Sequence, residues 1–282
     1  MELAAVLARA CRMDVVAFKP GNVSLYAPGH GMRAEDFLVS ARVACAALAA
    51  PGARVGARIE AAIEATLEAV GQNTNLGIVL LLAPLARACL AAPADTRGAP
   101  DLAARVAQVL ADLDVADTAA CFRAIRRAQP AGLGRVDQAD VYTEPRQDLR
   151  TVMRLAADRD AIARQYANAY ADIFTLGVPL LARARRRYRS LAWATTRCYL
   201  AFLAAEPDSH IVRKHGRALA EAVSAQARAV ETAVEACENP RRFMSMLEAF
   251  DRELKSRGVN PGTSADLTVA SVSALLLRER LF

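Results

Sequence analysis

Segment 71–77, Gly-Gln-Asn-Thr-Asn-Leu-Gly, constrains the fold most, because it sets amide and hydroxyl groups between two apolar stretches. Before it, Ile59, Ile63 and Leu67 recur at a spacing typical of a helix that buries one face. After it, residues 78–85 carry no charge and predict an element buried nearly all round. A buried polar group without a partner costs roughly 1–3 kcal/mol. The segment therefore either caps the next helix or lines a cavity.

The composition indicates an all-α fold. Of 282 residues, 54% are hydrophobic but only 5% are aromatic, and alanine and leucine dominate the apolar share. Both are strong helix formers, and alternating runs of Val, Ile and Thr are nearly absent. No linker of low complexity divides the chain. We expect a single all-α domain over residues 1–282, with about ten helices.

The net charge of +6 comes largely from five arginines in segment 183–189. A nucleic-acid-binding surface would interleave basic residues with aromatic ones or form a recognisable module. Only Tyr188 is close, so we interpret this segment as a solvated helix face and expect no nucleic-acid partner. A basic balance also suits an enzyme that handles polyphosphate substrates.

Cysteine usage and the apolar segments indicate a cytoplasmic protein. The six cysteines are scattered without a Cys-x-x-Cys pair, which is typical of small buried residues in a reducing compartment. The three histidines are not at ligand spacing to a cysteine, which disfavours zinc. Glu2 and Arg9 make the amino terminus unlike a signal peptide. Residues 78–85 fall short of the roughly 20 needed to span a bilayer. We expect no membrane partner.

Two further polar segments can bind phosphate or metal. Lys19-Pro-Gly-Asn22 combines a lysine, an asparagine and the backbone N–H groups of a turn, a combination that can hold phosphate. Segment 112–117 carries three aspartates, two of which are Asp114 and Asp117. Magnesium binds one or two carboxylates together with water and substrate phosphates. A solvated acidic loop or a helix cap remains the alternative.

Residues 149–175 predict one long helix. Leu155 and Ile162 lie on its apolar stripe, and Asp158 and Arg159 fall in register with them. These two charged side chains should face inward, where charges are paired or bind a ligand. Asp160 and Arg164 instead fit a surface i,i+4 pair.

The last polar loop is segment 259–267. Thr263 and Asp266 have the spacing of a helix-capping pair, which leaves Asn260 unexplained. Asp36 opens an earlier helix, where an acid in the first turn is favoured by the helix dipole. Lys214 lies in the first turns of a helix that begins near residue 208.

Six short motifs follow one another between about residue 10 and residue 278. They are Lys19-Pro-Gly-Asn22, Asp36-Phe-x-x-Ser40, Asn73-Thr-x-x-Gly77, Asp114-Val-x-Asp117, Ala157-Asp-Arg-Asp160 with Arg164-Gln-Tyr166, and Asn260-Pro-Gly-Thr-Ser-Ala-Asp266. Each motif alone is weak, but their ordered combination resembles the triphosphoribosyl-dephospho-coenzyme A synthase family. In the citrate-lyase branch of that family the central turn reads Asn-Thr-His-Lys-Gly. Here Asn75 and Leu76 replace the histidine and the lysine.

The resemblance implies an all-helical enzyme that transfers the triphosphoribosyl part of ATP to the ribose 2′-hydroxyl of 3′-dephospho-coenzyme A and releases adenine. The product is the precursor of the prosthetic group of the carrier subunit in citrate lyase or malonate decarboxylase. Displacement at an anomeric carbon passes through an oxocarbenium-like transition state. Such an enzyme needs a base for the hydroxyl, a donor for adenine, and cations for the triphosphate.

The resemblance and the residue chemistry together predict site residues. We expect Asp36 or Asp158 as the catalytic base, and Asp114 and Asp117 as ligands of Mg²⁺, with ATP as a substrate. Residues expected to bind phosphate, ribose or adenine are Lys19, Asn22, Asn73, Thr74, Asn75, Arg159, Lys214, Asn260 and Asp266.

Two alternatives remain open at this point. A related branch of the family is associated with methanopterin-dependent metabolism, so the chain can instead use ATP in pterin-cofactor biosynthesis. It can also be a non-catalytic nucleotide-binding partner of a carrier or decarboxylase complex. Alanine-rich helices often bury flat faces against a second subunit, which suggests a homodimer.

Overall fold

The computed structural model describes residues 2–26, 29, 31–91, 101–237 and 239–281. Within those ranges it contains fourteen α-helices and no β-strand, which confirms the all-α prediction. The number of helices exceeds the expected ten, partly because segment 149–175 divides into shorter elements.

The α-helices are bounded as follows. They are α1 (Leu3–Val16), α2 (Ala34–Leu48), α3 (Val55–Val70), α4 (Leu76–Leu90), α5 (Leu102–Ala111), α6 (Val115–Ala128), α7 (Leu149–Ala156), α8 (Ala161–Ala167), α9 (Val178–Tyr188), α10 (Leu191–Ala205), α11 (Ser209–His215), α12 (Arg217–Glu235), α13 (Met244–Ser256) and α14 (Gly262–Leu281). A π-helix spans Ile173–Gly177, and a 3₁₀-helix spans Pro240–Phe243.

Helices α4 and α14 form the centre of the larger hydrophobic core. Helix α4 is buried along most of its length, as its uncharged sequence predicts, and it packs against α3, α5 and α14. Its Pro84 has no N–H to donate to the carbonyl of Leu80. The hydroxyl of Tyr166 donates to that carbonyl at 2.7 Å, so the buried oxygen keeps a partner. The proline is therefore accommodated inside the helix.

A second hydrophobic cluster joins α10 to the helices that follow it. Tyr199, Leu203, Val223 and Phe250 belong to this cluster, and all four are buried. Tyr199 also donates a hydrogen bond to the carbonyl of Pro20, at a distance of 2.5 Å. This contact attaches the second cluster to the turn that follows α1.

The prediction of one long helix over residues 149–175 is wrong. Asp160 ends the first part by capping α8, because its side chain accepts hydrogen bonds from the N–H groups of Ile162 and Ala163. Ala169 and Tyr170 then adopt left-handed backbone angles, with φ of 56° and 64°. A left-handed residue interrupts a right-handed helix. The rotation of side chains along this segment therefore differs from that of a continuous helix.

This break also changes which charged residues are buried. Asp158 and Arg159 are exposed, so the expectation that they face inward is wrong. Arg164 pairs with Asp172 and Glu206 instead of Asp160.

The predicted exposure of the arginine segment 183–189 agrees with the structure. The arginines at 183, 186, 187 and 189 are exposed on or next to α9, which confirms a solvated helix face.

All six cysteines are free, and four of them are buried. Among the described residues, no helix combines the length and the apolar character needed to cross a membrane.

Candidate active site

A cavity of about 1030 Å³ opens between the start of α4, the start of α14, α8, α11 and the loop that follows α6. Ligand-binding cavities in proteins typically measure about 300–1,000 Å³. This cavity is therefore large enough for a nucleotide and part of a second substrate. Five of the six motifs contribute to its lining, and only the motif Asp114-Val-x-Asp117 does not.

We call the deep side of this cavity its inner wall, defined by Asp14, Asn22, Asn75, Gly77 and Asp266. The first three are at least nine-tenths buried, and Gly77 and Asp266 are half-buried. The inner wall thus presents two carboxyl and two amide side chains from four separate parts of the chain.

Lys19 lies behind the inner wall and does not line the cavity. It is buried, forms an ion pair with Asp14, and donates to Oδ1 of Asn22 at 2.5 Å. Asn22 in turn donates to Oδ1 of Asn260 at 2.9 Å. The motif Lys19-Pro-Gly-Asn22 therefore fixes the positions of Asp14 and Asn22, and a direct contact between Lys19 and phosphate does not fit this geometry.

Asp14 is a cavity residue that the sequence reasoning missed. It follows Leu7 and Ala10 on the buried stripe of α1. A charged residue on such a stripe needs a partner or a ligand. The sequence therefore indicated a role for Asp14 through an acidic residue on an apolar helix stripe, with Lys19 five positions later.

The polar residues of the central turn both cap the next helix and line the cavity. Asn73 Oδ1 accepts from the N–H groups of Asn75 and Leu76 at 3.3 and 3.1 Å, which caps the start of α4. Thr74 donates to Ser40 at 2.8 Å, and the amide of Asn75 donates to Thr66 at 3.0 Å.

All three residues of this turn, Asn73, Thr74 and Asn75, also line the cavity. Among the described residues, the buried Oδ1 of Asn75 has no hydrogen-bond partner. The turn is therefore a helix cap that also contributes to the cavity lining.

Asp266 lies directly against Gly77. A Cβ atom added at Gly77 would come within 2.0 Å of Oδ2 of Asp266 and within 2.8 Å of Cδ1 of Ile162. Glycine at this position thus lets the carboxyl group pack on the first turn of α4. Burial raises the pKa of Asp266 well above its usual value, and the neighbouring carboxylates of Asp14 and Asp208 add to this effect.

Another part of the cavity lining is basic and exposed, and we call it the basic rim. It consists of Arg127, Arg159, Arg213 and Lys214. Arg213 and Asp160 form an ion pair at 3.6 Å, and Asp160 is a second cavity acid missed from the sequence.

The loop between α6 and α7 forms part of the same side. Residues 129–134 and 138–141 line the cavity. Asp140 organises this loop by accepting from the N–H groups of Val136 and Tyr142, each at 2.8 Å. These backbone hydrogen bonds lower the pKa of Asp140.

Neither predicted catalytic base lines the cavity. Asp36 accepts from the N–H of Arg33 at 3.0 Å and from Gln72 at 3.2 Å, so it serves mainly as a helix cap. Its neighbour Phe37 lines the cavity instead. Asp158 is exposed and, in the described part of the chain, does not belong to the lining.

Asp114 and Asp117 do not fit a magnesium ion. Asp117 accepts from the N–H of Gly56 at 2.8 Å through Oδ1 and from Arg54 at 2.7 Å through Oδ2. Asp114 accepts from the N–H of Asp117 and pairs with Arg54 at 2.9 Å. All four carboxyl oxygens already have donors, and neither residue lines the cavity.

This arrangement is a capping box at the start of α6 that also holds α3. The described residues contain no group of three or more His, Cys, Asp or Glu side chains suited to a metal. The geometry therefore supports the helix-cap interpretation of this motif.

Comparison with known proteins tests the family resemblance. Residues 1–281 match the model of the CitG family, described as ATP:dephospho-CoA triphosphoribosyl transferase. No curated protein matches the chain. A crystal structure described as a candidate triphosphoribosyl-dephospho-CoA synthase from Archaeoglobus fulgidus aligns with a TM-score of 0.65 and 23% identity.

That alignment covers 86% of this chain and 98% of the archaeal chain. At this level of identity the archaeal structure shows a shared fold, while the family model covers nearly the whole chain. The family predicted from the six motifs is confirmed, and the chain belongs to the CitG family of ATP:dephospho-CoA triphosphoribosyl transferases.

Proposed function

We propose that the cavity binds ATP and 3′-dephospho-coenzyme A side by side and joins the triphosphoribosyl group to the 2′-hydroxyl of the acceptor, releasing adenine. Membership of the transferase family supports this reaction. The observation that carries the site assignment is the division of one 1030 Å³ cavity into an acidic, amide-rich inner wall and a basic rim. A substrate with a phosphate chain at one end and a reacting sugar at the other suits this division.

The basic rim binds the phosphate groups of both substrates in this proposal. Arg159 and Lys214 are exposed cavity residues, as phosphate binding requires. Arg213 and Arg127 already have acidic partners in Asp160 and Glu64, so Arg159 and Lys214 offer the more readily available charges. Clustered positive charge at a cleft also raises the local concentration of polyanionic substrates.

The amides of the inner wall orient the sugar and the base. The buried Oδ1 of Asn75 accepts a hydrogen bond from a ribose hydroxyl or from the amino group of adenine. Such a bond removes the cost of an unpaired buried acceptor, which is about 1–3 kcal/mol. Asn22 and Asn260, which are hydrogen-bonded to each other, supply further polar contacts at the same wall.

Magnesium enters with the triphosphate, as part of the ATP complex. Asp114 and Asp117 are not assigned to it, because their oxygens already have donors. Magnesium commonly keeps several waters and is held chiefly by substrate phosphates. In this proposal the protein contributes the positive charge of the basic rim and the geometry of the inner wall.

Adenine release tests the proposed function. The protein is incubated with ATP and magnesium, with and without 3′-dephospho-coenzyme A, and free adenine is quantified by chromatography. Adenine and an adduct of the expected mass should appear only when the acceptor is present. Removing the rim charge with Arg159→Ala should mainly raise KM for ATP, whereas the surface variant Glu248→Gln on α13 should match the wild type.

Other outcomes point to the alternatives. ATP binding without adenine release from 3′-dephospho-coenzyme A, together with release when a pterin acceptor is supplied, would replace the acceptor in this proposal. ATP binding with no release from any acceptor would favour a non-catalytic partner protein. Either result contradicts the proposed reaction.

A further inference from the structure

We propose, building on the proposed function, that Asp266 is the catalytic acid that protonates the departing adenine and that Asp14 is the base that accepts the proton of the attacking hydroxyl. Both carboxyl groups belong to the inner wall of the cavity. They come from opposite ends of the chain, since Asp14 lies on α1 and Asp266 on α14.

The position of Asp266 favours contact with a bound substrate. Its carboxyl group packs on Gly77, at the first turn of α4, and reaches the cavity lining. Asn75 belongs to the same wall, and its buried Oδ1 has no hydrogen-bond partner in the described part of the chain. A base held by this amide would therefore lie close to the first turn of α4, where Asp266 is placed.

Four charged groups surround Asp266 from different elements. Asp14 on α1, Asp208 before α11 and Asp160 before α8 are acidic, whereas Lys19 is basic. Desolvation and the three carboxylates raise the pKa of Asp266, and Lys19 acts in the opposite direction without cancelling the effect. The raised pKa favours the protonated form of Asp266, which is the form that an acid catalyst needs.

Asp14 has a different environment. Lys19 contacts it directly in a buried ion pair, and Lys19 itself is fixed by Asn22. The ion pair fixes the Asp14 carboxyl group at the inner wall, whereas the Asp266 carboxyl group packs on Gly77. The two carboxyl groups therefore have different surroundings, as expected where one donates a proton and the other accepts one.

The transfer breaks one bond at ribose C1′ and forms another. The bond between ribose C1′ and adenine breaks, its electron pair passes to adenine, and Asp266 gives its proton to the adenine ring. A lone pair of the acceptor hydroxyl forms the new C1′–O bond, and the hydroxyl proton passes to Asp14. Asp266 is left ionised and Asp14 neutral, so the total charge of the enzyme is unchanged. Exchange with water restores both groups.

The leaving group provides the decisive test. Adenine needs a proton to depart, whereas p-nitrophenolate departs readily as an anion. We compare the wild type with Asp266→Asn on ATP and on p-nitrophenyl riboside 5′-triphosphate, with 3′-dephospho-coenzyme A as acceptor. Asp266→Asn should lower the rate with ATP by about 10²- to 10⁴-fold and should leave the rate with the p-nitrophenyl substrate within about threefold of the wild type.

Two further variants separate the two roles. Asp14→Asn should lower the rate with both substrates, because attack by the hydroxyl is common to them, and Asp14→Glu should restore part of the rate. The exposed Asp112→Asn, the same chemical change at a residue outside the cavity lining, should behave as the wild type. Equal loss with both leaving groups in Asp266→Asn would overturn the assignment of Asp266.

A direct titration of the Asp266 carboxyl group tests its role as the acid independently of the overall reaction. ¹³C NMR of aspartate-labelled wild type, with Asp266→Asn used to assign the resonance, should show the Asp266 carboxyl titrating well above the usual range for aspartate. An ordinary titration would overturn the acid assignment even if adenine is released normally. A raised pKa of Asp266 without any adenine release would instead contradict the proposed reaction, and the acid–base pair would then lack its proposed substrate.

Discussion

At the scale of single residues, the cavity depends on a close approach that only glycine permits. The carboxyl group of Asp266 occupies the space that a Cβ atom of Gly77 would take. A helical glycine costs roughly 1 kcal/mol relative to alanine, so its presence in α4 is explained by this contact and not by helix formation.

Gly77→Ala should therefore greatly reduce adenine release while the protein remains folded, because either Asp266 or the first turn of α4 must move. Gly177→Ala is the matched control, since its Cβ would come within 2.1 Å of Oγ of Ser271, outside the cavity. Circular dichroism melts and kcat of the folded protein distinguish the two. Loss of stability without loss of kcat in Gly77→Ala would contradict the role of this contact.

Local signals identified several residues of the inner wall from the sequence alone. Amides and acids that interrupt apolar helices, such as Asn75 and Asp266, need partners, and that requirement is visible without a structure. Asp36 and Asp158 carry the same chemistry but do not line the cavity. Their orientation depends on where neighbouring helices end and pack, which residue type and spacing do not determine.

At the scale of helices, the motif Asp114-Val-x-Asp117 acts as a clamp between α3 and α6. Gly56 and Asp117 approach so closely that a Cβ atom at Gly56 would lie 2.5 Å from Cα of Asp117. The carboxyl group of Asp117 holds the N–H of Gly56 and the side chain of Arg54 in this contact. The motif is therefore explained by packing and capping.

Asp117→Asn should lower the free energy of unfolding by about 1–3 kcal/mol, because the amide replaces an oxygen that accepts from buried and charged donors. The ion pair with Arg54 adds little to this loss, because the Arg54 side chain is half-exposed and solvent screens its charge. Urea denaturation measures the change. The magnesium dependence of ATP binding, followed by calorimetry, should match that of the wild type, and a selective loss of that dependence would restore the metal assignment.

The all-α fold was predictable from composition, whereas the residues at which helices begin and end were less predictable. The buried helix α4 follows directly from an uncharged run of residues. The breaks at Asp160 and at Ala169–Tyr170 do not, because a side-chain cap and a buried tyrosine hydroxyl override an otherwise helical pattern. Tertiary contacts decide between these local alternatives.

At the scale of the whole molecule, the inner wall makes stability depend on pH. An acid whose pKa is raised on folding binds more protons in the folded state than in the unfolded state. Folding stability then falls as pH rises from the unfolded value, about 4 for aspartate, through the raised value in the folded protein. Asp266 and Asp208 both have raised pKa values and contribute in this direction.

Asp266→Asn should therefore melt at a higher temperature than the wild type at pH 7 to 8, with the difference shrinking toward pH 4. Differential scanning fluorimetry across this pH range measures it. A variant that is less stable than the wild type at neutral pH would contradict the raised pKa.

The two sides of the cavity differ in how they are built, and this has an evolutionary consequence. The inner wall comes from helices whose other faces form the core, so most changes there also threaten folding. The other side includes the loop between α6 and α7, most of whose residues are exposed. Descendants of this protein can change acceptor preference by altering that loop while they inherit the reaction centre intact.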